Sequence, residues 1–454
     1  MNRSQQLGEE KVGKLLLKFS IPAVIGMLVN GLYNIVDRIF VGRGVGSLAL
    51  SGIAISFPIT LAIMAFVMLI GIGATSVISI RLGQQKRDEA ERIVGNAFVL
   101  LVGVTLLITL LGYLFMDPLL VSLGASSEVL PYAKDYIRII LFGAVFQSIG
   151  FGMNNFIRAE GNPKVAMYTM VLGAVLNTIL NPIFIFVLHL GVAGSALATV
   201  IAQFVTCGCV LYYFLGDRAL LKLRLRNLKL EWIFVKDILA IGISPFSMQL
   251  VGSFVTVFLN KSLARYGGDI PIAAMGIITS IAMLILMSIF GIGQGAQPIL
   301  GFNYGARNYD RVKQALKLSV LASTGVMILG FLVVESFPVQ LMSLFSKDPE
   351  LIRVGANGMR IYLMMLPIIG FQVTVVGYFQ ATGKPRKSLF LSLSRQLLFL
   401  VPMIWILPRL FGLTGVWLAA PVSDIASAAL TAVWLYKDLQ ELGPSQQQIQ
   451  AKAG

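Results

Sequence analysis

Twelve long apolar runs separated by short polar breaks account for most of the chain. They cover 15–40, 48–79, 92–115, 131–157, 165–188, 193–215, 235–262, 272–300, 314–334, 353–379, 388–408 and 413–436. Each reaches the roughly 20 residues that a helix needs to cross a bilayer. The runs are continuous rather than alternating, which does not suit barrel strands of about 10 residues. The first run holds Asn30, Tyr33 and Asp37 and has no small-residue cleavage motif, so it reads as a span and not as a removable signal. The pattern predicts an all-α polytopic membrane protein with twelve transmembrane helices.

Composition strengthens this reading. Of 454 residues, 57% are hydrophobic and only 13% charged, where soluble domains carry about 25% charged residues. The net charge is +15, but the basic residues sit in short loops. That spread argues against a nucleic-acid surface and makes membrane lipid the surrounding phase. Of the 36 Lys and Arg residues, 25 fall on the side of the two termini and 10 on the other, with Arg395 inside a span. The positive-inside rule then places both termini in the cytoplasm, as expected of a multi-pass membrane protein. The two cysteines, Cys207 and Cys209, share one apolar run, and His189 is the single histidine. They offer neither a disulfide framework nor a metal cage.

The halves repeat at a spacing of about 222 residues. Gly71-Ile72-Gly73-Ala74 answers Gly293-Gln294-Gly295-Ala296, and Ala159-Glu160-Gly161-Asn162-Pro163 answers Ala381-Thr382-Gly383-Lys384-Pro385. Pro22 and Pro245 stand near the start of each half's first span, where a proline removes a backbone hydrogen bond and can bend a helix. Six spans per half is an even number, so the repeats run parallel. The expected organisation is an N-lobe (1–215), a basic cytoplasmic linker (216–236), a C-lobe (237–437) and a polar cytoplasmic tail (438–454). Two six-helix bundles with a cleft between them is a secondary-transporter layout.

Ionisable residues within spans are costly and therefore functional candidates. Asp37 shares the first span with Asn30, Tyr33 and Asn34, at offsets that place all four on one helical face. Arg38 points about 100° away. Asp37 thus needs a partner on another helix, a proton or a cation. Asn154 and Asn155 on the fourth span, Asn177 and Asn181 one turn apart on the fifth, and Thr199 on the sixth supply neutral oxygens nearby. Pro182 follows Asn181 and frees a backbone carbonyl one turn back. In the second half the counterpart of Asp37 is Asn260. Gln249, Gln372 and Gln380 are neutral cavity candidates, and Arg395 could snorkel or pair with Asp424. No nucleotide-binding loop, zinc-protease helix or nucleophile elbow is present, so enzymatic activity is not expected.

These features resemble the multidrug and toxic compound extrusion (MATE) family, and look closest to its bacterial MepA-like branch. The resemblance rests on the two six-span halves, Pro22 placed before Asp37, the repeated Gly-x-Gly-Ala segments and the Ala-x-Gly-x-Pro loops. It covers nearly the whole chain. It implies ion coupling at Asp37 with Asn177, Asn181 and Thr199, and a bend of the first helix at Pro22. Asn30, Tyr33 and Asn154 match positions that face the N-lobe cavity in relatives, and Asn34, Gln249 and Gln372 are added here as cavity candidates. Asn181 departs from the family pattern, which has an acidic residue there, and this lowers the charge available to hold Na⁺. The expectation is a monomeric antiporter that exports small-molecule drugs and organic cations in exchange for protons, with Na⁺ as the other candidate ion and no cofactor. A lipid-linked oligosaccharide flippase of the same superfamily is the alternative.

Overall fold

Proline and glycine punctuate an otherwise helical chain, and their positions decide how often it crosses the membrane. In the computed structural model, which describes residues 5–442, ten helices are long and apolar enough to span a bilayer. The first half supplies α1 (Val12–Gly44), α2 (Ser47–Gly83), α3 (Arg87–Leu114), α4 (Leu130–Ala159), α5 (Pro163–Pro182) and α6 (Gly191–Leu215). The second half follows with α7 (Trp232–Gly267), α8 (Asp269–Gly305) and α9 (Tyr309–Ser336). Span α10 is a bent pair, Pro349–Tyr362 and Leu366–Ala381, meeting at 51°. The break lies just before Pro367, whose ring disfavours helix in the preceding residue.

The last apolar helix runs from Pro385 to Glu441, 57 residues. At 1.5 Å per residue that is about 85 Å, far more than one bilayer core of about 30 Å. Gly412, at φ 57° and ψ −135°, interrupts it. A glycine adopts that conformation without the Cβ clash of other residues, and it divides the run into α11 (385–411) and α12 (413–441). With α10 counted as one span, the described chain crosses the membrane twelve times.

The repeat extends to irregular backbone. Span α5 ends in a π-helical turn, Ile183–Val187, and α11 contains another, Ser394–Leu400. Gly191 (φ 59°) opens α6 as Gly412 (φ 57°) opens α12. Short helices Met116–Ser122 and Pro338–Ser343 follow the third span of each lobe. A proline stands beside each π turn, Pro182 directly before the first and Pro402 two residues after the second, and each lacks the N–H that an α-helix would use.

The lobes meet on the side of the basic loops. There the glycines of the repeated motif let backbones touch, as small residues do between membrane helices. A Cβ on Gly295 would lie 2.7 Å from Ser20 Cα, and one on Gly301 would lie 2.7 Å from Ser79 Cβ. Gln297 Nε2 donates to Ser76 Oγ at 2.8 Å across the same contact. One apolar core fills the N-lobe and continues across this closed interface, and a second lies within the C-lobe.

Two expected boundaries move. Helix α7 begins at Trp232, inside the segment read as linker, and the rest of that segment is pinned to the N-lobe. Arg92 Nη1 reaches Glu231 at 3.1 Å, Arg224 reaches Glu91 at 3.5 Å, and Asn96 accepts from the Glu231 amide at 2.7 Å. The connection is therefore a strap along the start of α3 rather than a free hinge. The polar tail likewise starts later, because α12 continues to Glu441 and Asp438 is fully buried. Residues 443–454 lie outside the described residues.

Candidate ion-coupling site

Apolar helices bring together the few polar side chains of the N-lobe. Asp37, on α1, is 9% exposed and receives two hydrogen bonds, both on Oδ1. Asn181 Nδ2 of α5 donates at 2.6 Å and Ser195 Oγ of α6 at 2.7 Å. Asn181 also donates to Asn177 Oδ1 at 3.1 Å, and Asn177 Nδ2 donates to Thr199 Oγ1 at 3.0 Å. A chain of hydrogen bonds thus runs from the carboxylate through α5 to α6. Asn177 and Asn181 are one turn apart, which puts both on the face toward α1 and α6.

Among the described residues no lysine or arginine pairs with Asp37. The neighbouring Arg38 turns outward, its guanidinium 5.4 Å from the centre of the Phe57 ring. Its exposure agrees with the expected 100° separation along the helix. A carboxylate taken out of water without a cationic partner is strongly destabilised unless hydrogen bonds, a proton or a bound cation compensate. Two donors do part of this work here.

The other sequence candidates are dispersed. Asn34 is exposed and donates to the Asn30 carbonyl of its own helix at 2.7 Å, so it does not join Asp37. Tyr33 lies one turn before Asp37 on α1 and is half-buried. Asn154 is buried and ties α4 to α5, donating to Thr169 Oγ1 at 2.6 Å and to the Ala166 carbonyl at 2.9 Å. Gln372 is buried in the C-lobe and donates to Ser427. Gln249 is half-buried on α7, and Gln380 reaches Ser244 at 3.4 Å. Pro22 and Pro245 are buried inside helices that continue through them. Helix α1 is thus unbroken at Pro22.

Ser195 is the site residue that the sequence did not single out. It lies one turn before Thr199 on the same face of α6, and a short hydroxyl within Gly191-Val192-Ala193-Gly194-Ser195 reads first as packing. The available signal was its i, i+4 relation to Thr199, which places it level with the Asp37 end of the asparagine pair.

Two parallel six-helix lobes, closed against each other on one side and carrying in one lobe the buried Asp37 carboxylate without a basic partner among the described residues, define a secondary-transporter architecture. The chain belongs to the MatE family, whose model matches residues 22–183 and 245–406, once in each lobe. It is similar to the multidrug export protein MepA of Staphylococcus haemolyticus (strain JCSC1435), 28% identical over 428 residues and 94% of both chains. The MepA of Staphylococcus aureus (strain MSSA476) is 28% identical over 429 residues, again 94% of both. Among solved structures, an outward-facing multidrug resistance MATE family transporter of the MOP superfamily matches at TM-score 0.92 and 28% identity, over 96% of this chain and 98% of that one. A MOP superfamily transporter from Pyrococcus furiosus, described as having a binding pocket of reversed polarity, matches at TM-score 0.91 and 28% identity, over 97% and 98%. The fold expected from sequence, a twelve-span bundle of two lobes in the MATE/MOP arrangement, is the fold observed. These relatives are membrane transporters, not enzymes.

Proposed function

We propose that this chain is a secondary active multidrug efflux transporter that exports organic cations in exchange for protons by alternating access of its two lobes. The supporting observation is Asp37: a buried carboxylate, held by Asn181 and Ser195, with no cationic side chain among the described residues to neutralise it. Such a group binds either a proton or a cationic drug, and the two compete for the same charge. Proton entry releases the drug; drug entry from the opposite side releases the proton. Exchange follows from charge alone.

Protons suit the site better than Na⁺. Asp37 supplies one negative charge and its neighbours Asn181, Asn177 and Ser195 are neutral, which holds a hard cation weakly. The remaining oxygens around it are neutral. Closure on the side of the basic loops supports an outward-open state, given that the positive-inside rule puts those loops and both termini in the cytoplasm of a bacterial cell. Each lobe pair encloses its own cleft, so a monomer suffices, and the reaction needs no cofactor.

The test is ethidium efflux from right-side-out and inverted vesicles under separately imposed proton and sodium gradients, with wild type and Asp37→Asn. Proton-driven efflux lost in Asp37→Asn is expected. Normal efflux by Asp37→Asn would sink the reading, and sodium-driven efflux would reassign the ion. No efflux under either gradient would turn attention to lipid-linked substrates.

A further inference from the structure

The C-lobe holds a charge centre that repeats nothing in the N-lobe. Arg395 Nε of α11 donates to Asp424 Oδ1 of α12 at 2.7 Å. Asp424 is 2% exposed. The Arg395 side chain keeps 30% of its surface accessible, and neither of its terminal nitrogens makes a hydrogen bond among the described residues. One donor of five is therefore used.

Location says what that exposure faces. Arg395 lies roughly ten residues, about 15 Å, past Pro385, near the middle of a hydrocarbon core of about 30 Å. A guanidinium opened to lipid at that depth is costly, and charged side chains within spans almost always face the bundle interior or a water-filled cavity. The accessible part of Arg395 therefore faces the cleft. The next residue, Gln396, lies against Gly252 of α7, a helix that packs against α2 of the opposite lobe at the closed contact.

The repeat shows that helix packing does not require this pair. In register, Arg395 falls at Gly173 and Asp424 at Gln203. There α5 and α6 cross by close packing, with a Cβ on Gly173 lying 3.8 Å from the Ala202 carbonyl. The same crossing is built without charge in one lobe and with an ion pair in the other. Conversely, Asn181 and Ser195 fall at Met403 and Val416, so the C-lobe lacks the N-lobe's polar chain. The two centres also sit at different depths: Arg395 is about 12 Å nearer the basic loops than the counterpart of Asn181. A π turn begins at Ser394 and carries Arg395, and such turns recur at ligand sites because they re-aim a side chain.

We propose that Arg395 is an anion-binding group of the transport cleft, oriented by Asp424, which receives the carboxylate of zwitterionic substrates. This rests on the cleft being the drug path. Asp424 fixes the guanidinium through Nε and leaves the Nη edge free, and that edge matches a carboxylate with two parallel hydrogen bonds. Substrate selection then extends to amphoteric molecules that carry both an amine and a carboxylate, with separate centres for the two charges.

Rhodamine 123 and rhodamine 110 isolate the claim, because they share a cationic ring system and differ in a methyl ester against a free carboxylate. Binding of each is measured by fluorescence anisotropy with the purified full-length chain. Arg395→Gln is expected to weaken rhodamine 110 by about tenfold or more, the loss of a charge-assisted contact, with rhodamine 123 unchanged within about twofold. The double variant Arg395→Gln/Asp424→Asn, which leaves no buried carboxylate unpaired, should behave the same way, and Arg395→Lys should recover part of the rhodamine 110 affinity. Equal losses for both dyes in the double variant, or none for rhodamine 110, would overturn the proposal. Wild type binding only rhodamine 123 sinks the anion site alone. Wild type binding only rhodamine 110 sinks the organic-cation reading and keeps the site; binding of neither dye removes both.

Discussion

Ser195 Oγ donates to Asp37 Oδ1 at 2.7 Å, while Thr199, one turn further along α6, accepts from Asn177 at 3.0 Å. The two hydroxyls of α6 therefore have different tasks. One holds the charge directly, and the other ends a hydrogen-bond chain that starts there. A change of charge on Asp37 is felt first by α6 at Ser195 and by α5 at Asn181. Thr199 is reached only through both asparagines.

This division predicts unequal mutants. Ser195→Ala removes a hydrogen bond to a charged acceptor, worth about 1.5–3 kcal/mol. The ionised form loses a donor that favours it, so the pH midpoint of proton-driven ethidium efflux should move upward. Thr199→Ala acts three hydrogen bonds away and should leave the midpoint unmoved. Equal shifts in the two variants would mean that the chain acts as a unit and not through Ser195.

The spans were legible because a membrane demands about 20 apolar residues per crossing and the chain shows that run after run. The repeat was legible because glycine and proline positions recur where backbones touch or turn. Asp37, Asn177 and Asn181 could be grouped because helical spacing is one-dimensional information. Tertiary choices were not legible. Asn34 satisfies its amide on its own helix, an option open to any asparagine one turn after a free carbonyl. Asn154 uses its amide to tie α4 to α5. Both were compatible with a cavity in sequence, and only the packing partner decides. The linker's fixation to α3 depends on pairs such as Arg92 with Glu231, far apart in the chain.

Buried and exposed ion pairs at the basic face should differ in stability. Asp438 is fully buried and binds Lys387 at 2.6 Å, Lys384 at 2.7 Å and the Tyr378 hydroxyl at 2.7 Å. Removing one partner of a buried pair costs about 3–5 kcal/mol, since the others lose their compensation. Asp217 instead pairs with Lys222 at 98% side-chain exposure, where ion pairs contribute little. Asp438→Asn should lower the Tm of the purified protein by several degrees, and Asp217→Asn should not change it. An unchanged Tm in Asp438→Asn would show that the two lysines find other partners.

The closed contact between the lobes tolerates no side chain at Gly295, where a Cβ would lie 2.7 Å from Ser20 Cα. Gly293, two residues before it on α8, has open space instead. Gly295→Ala should part the lobes on the basic side, and Gly293→Ala should not. The readout is maleimide labelling of Ser79→Cys, buried in the same contact, with Cys207 and Cys209 replaced by serine. About tenfold faster labelling is expected in Gly295→Ala, as a population shift of about 1.4 kcal/mol gives. Identical rates in the two glycine variants would mean that the contact relaxes without opening.

The N-terminal segment before α1 holds this contact from outside. Its carbonyls bind the opposite lobe: Leu7 O accepts from Asn303 at 2.9 Å and from Arg311 at 3.1 Å, and Glu10 O accepts from Arg311 at 2.6 Å. Leu7 itself is fully buried. Arg311→Ala removes two of these bonds, so it should also speed labelling of Ser79→Cys, by an amount consistent with about 1–3 kcal/mol. The N-terminal segment's own charges set its pH range. A hydrogen bond from Lys14, followed by one from Lys18, holds the Glu10 carboxyl below its usual value of 4.5. A carboxyl lowered in this way contributes fully above its unfolded value and loses that contribution only as pH falls through the folded one. Divided at each pH by the rate of a fully exposed reference cysteine, which removes the thiol's own titration, labelling of Ser79→Cys should therefore stay flat above about pH 5 and rise only in stronger acid, with Glu10→Gln flat throughout. Labelling of Arg311→Ala no faster than wild type would show that the N-terminal segment rides on the closed lobes without holding them.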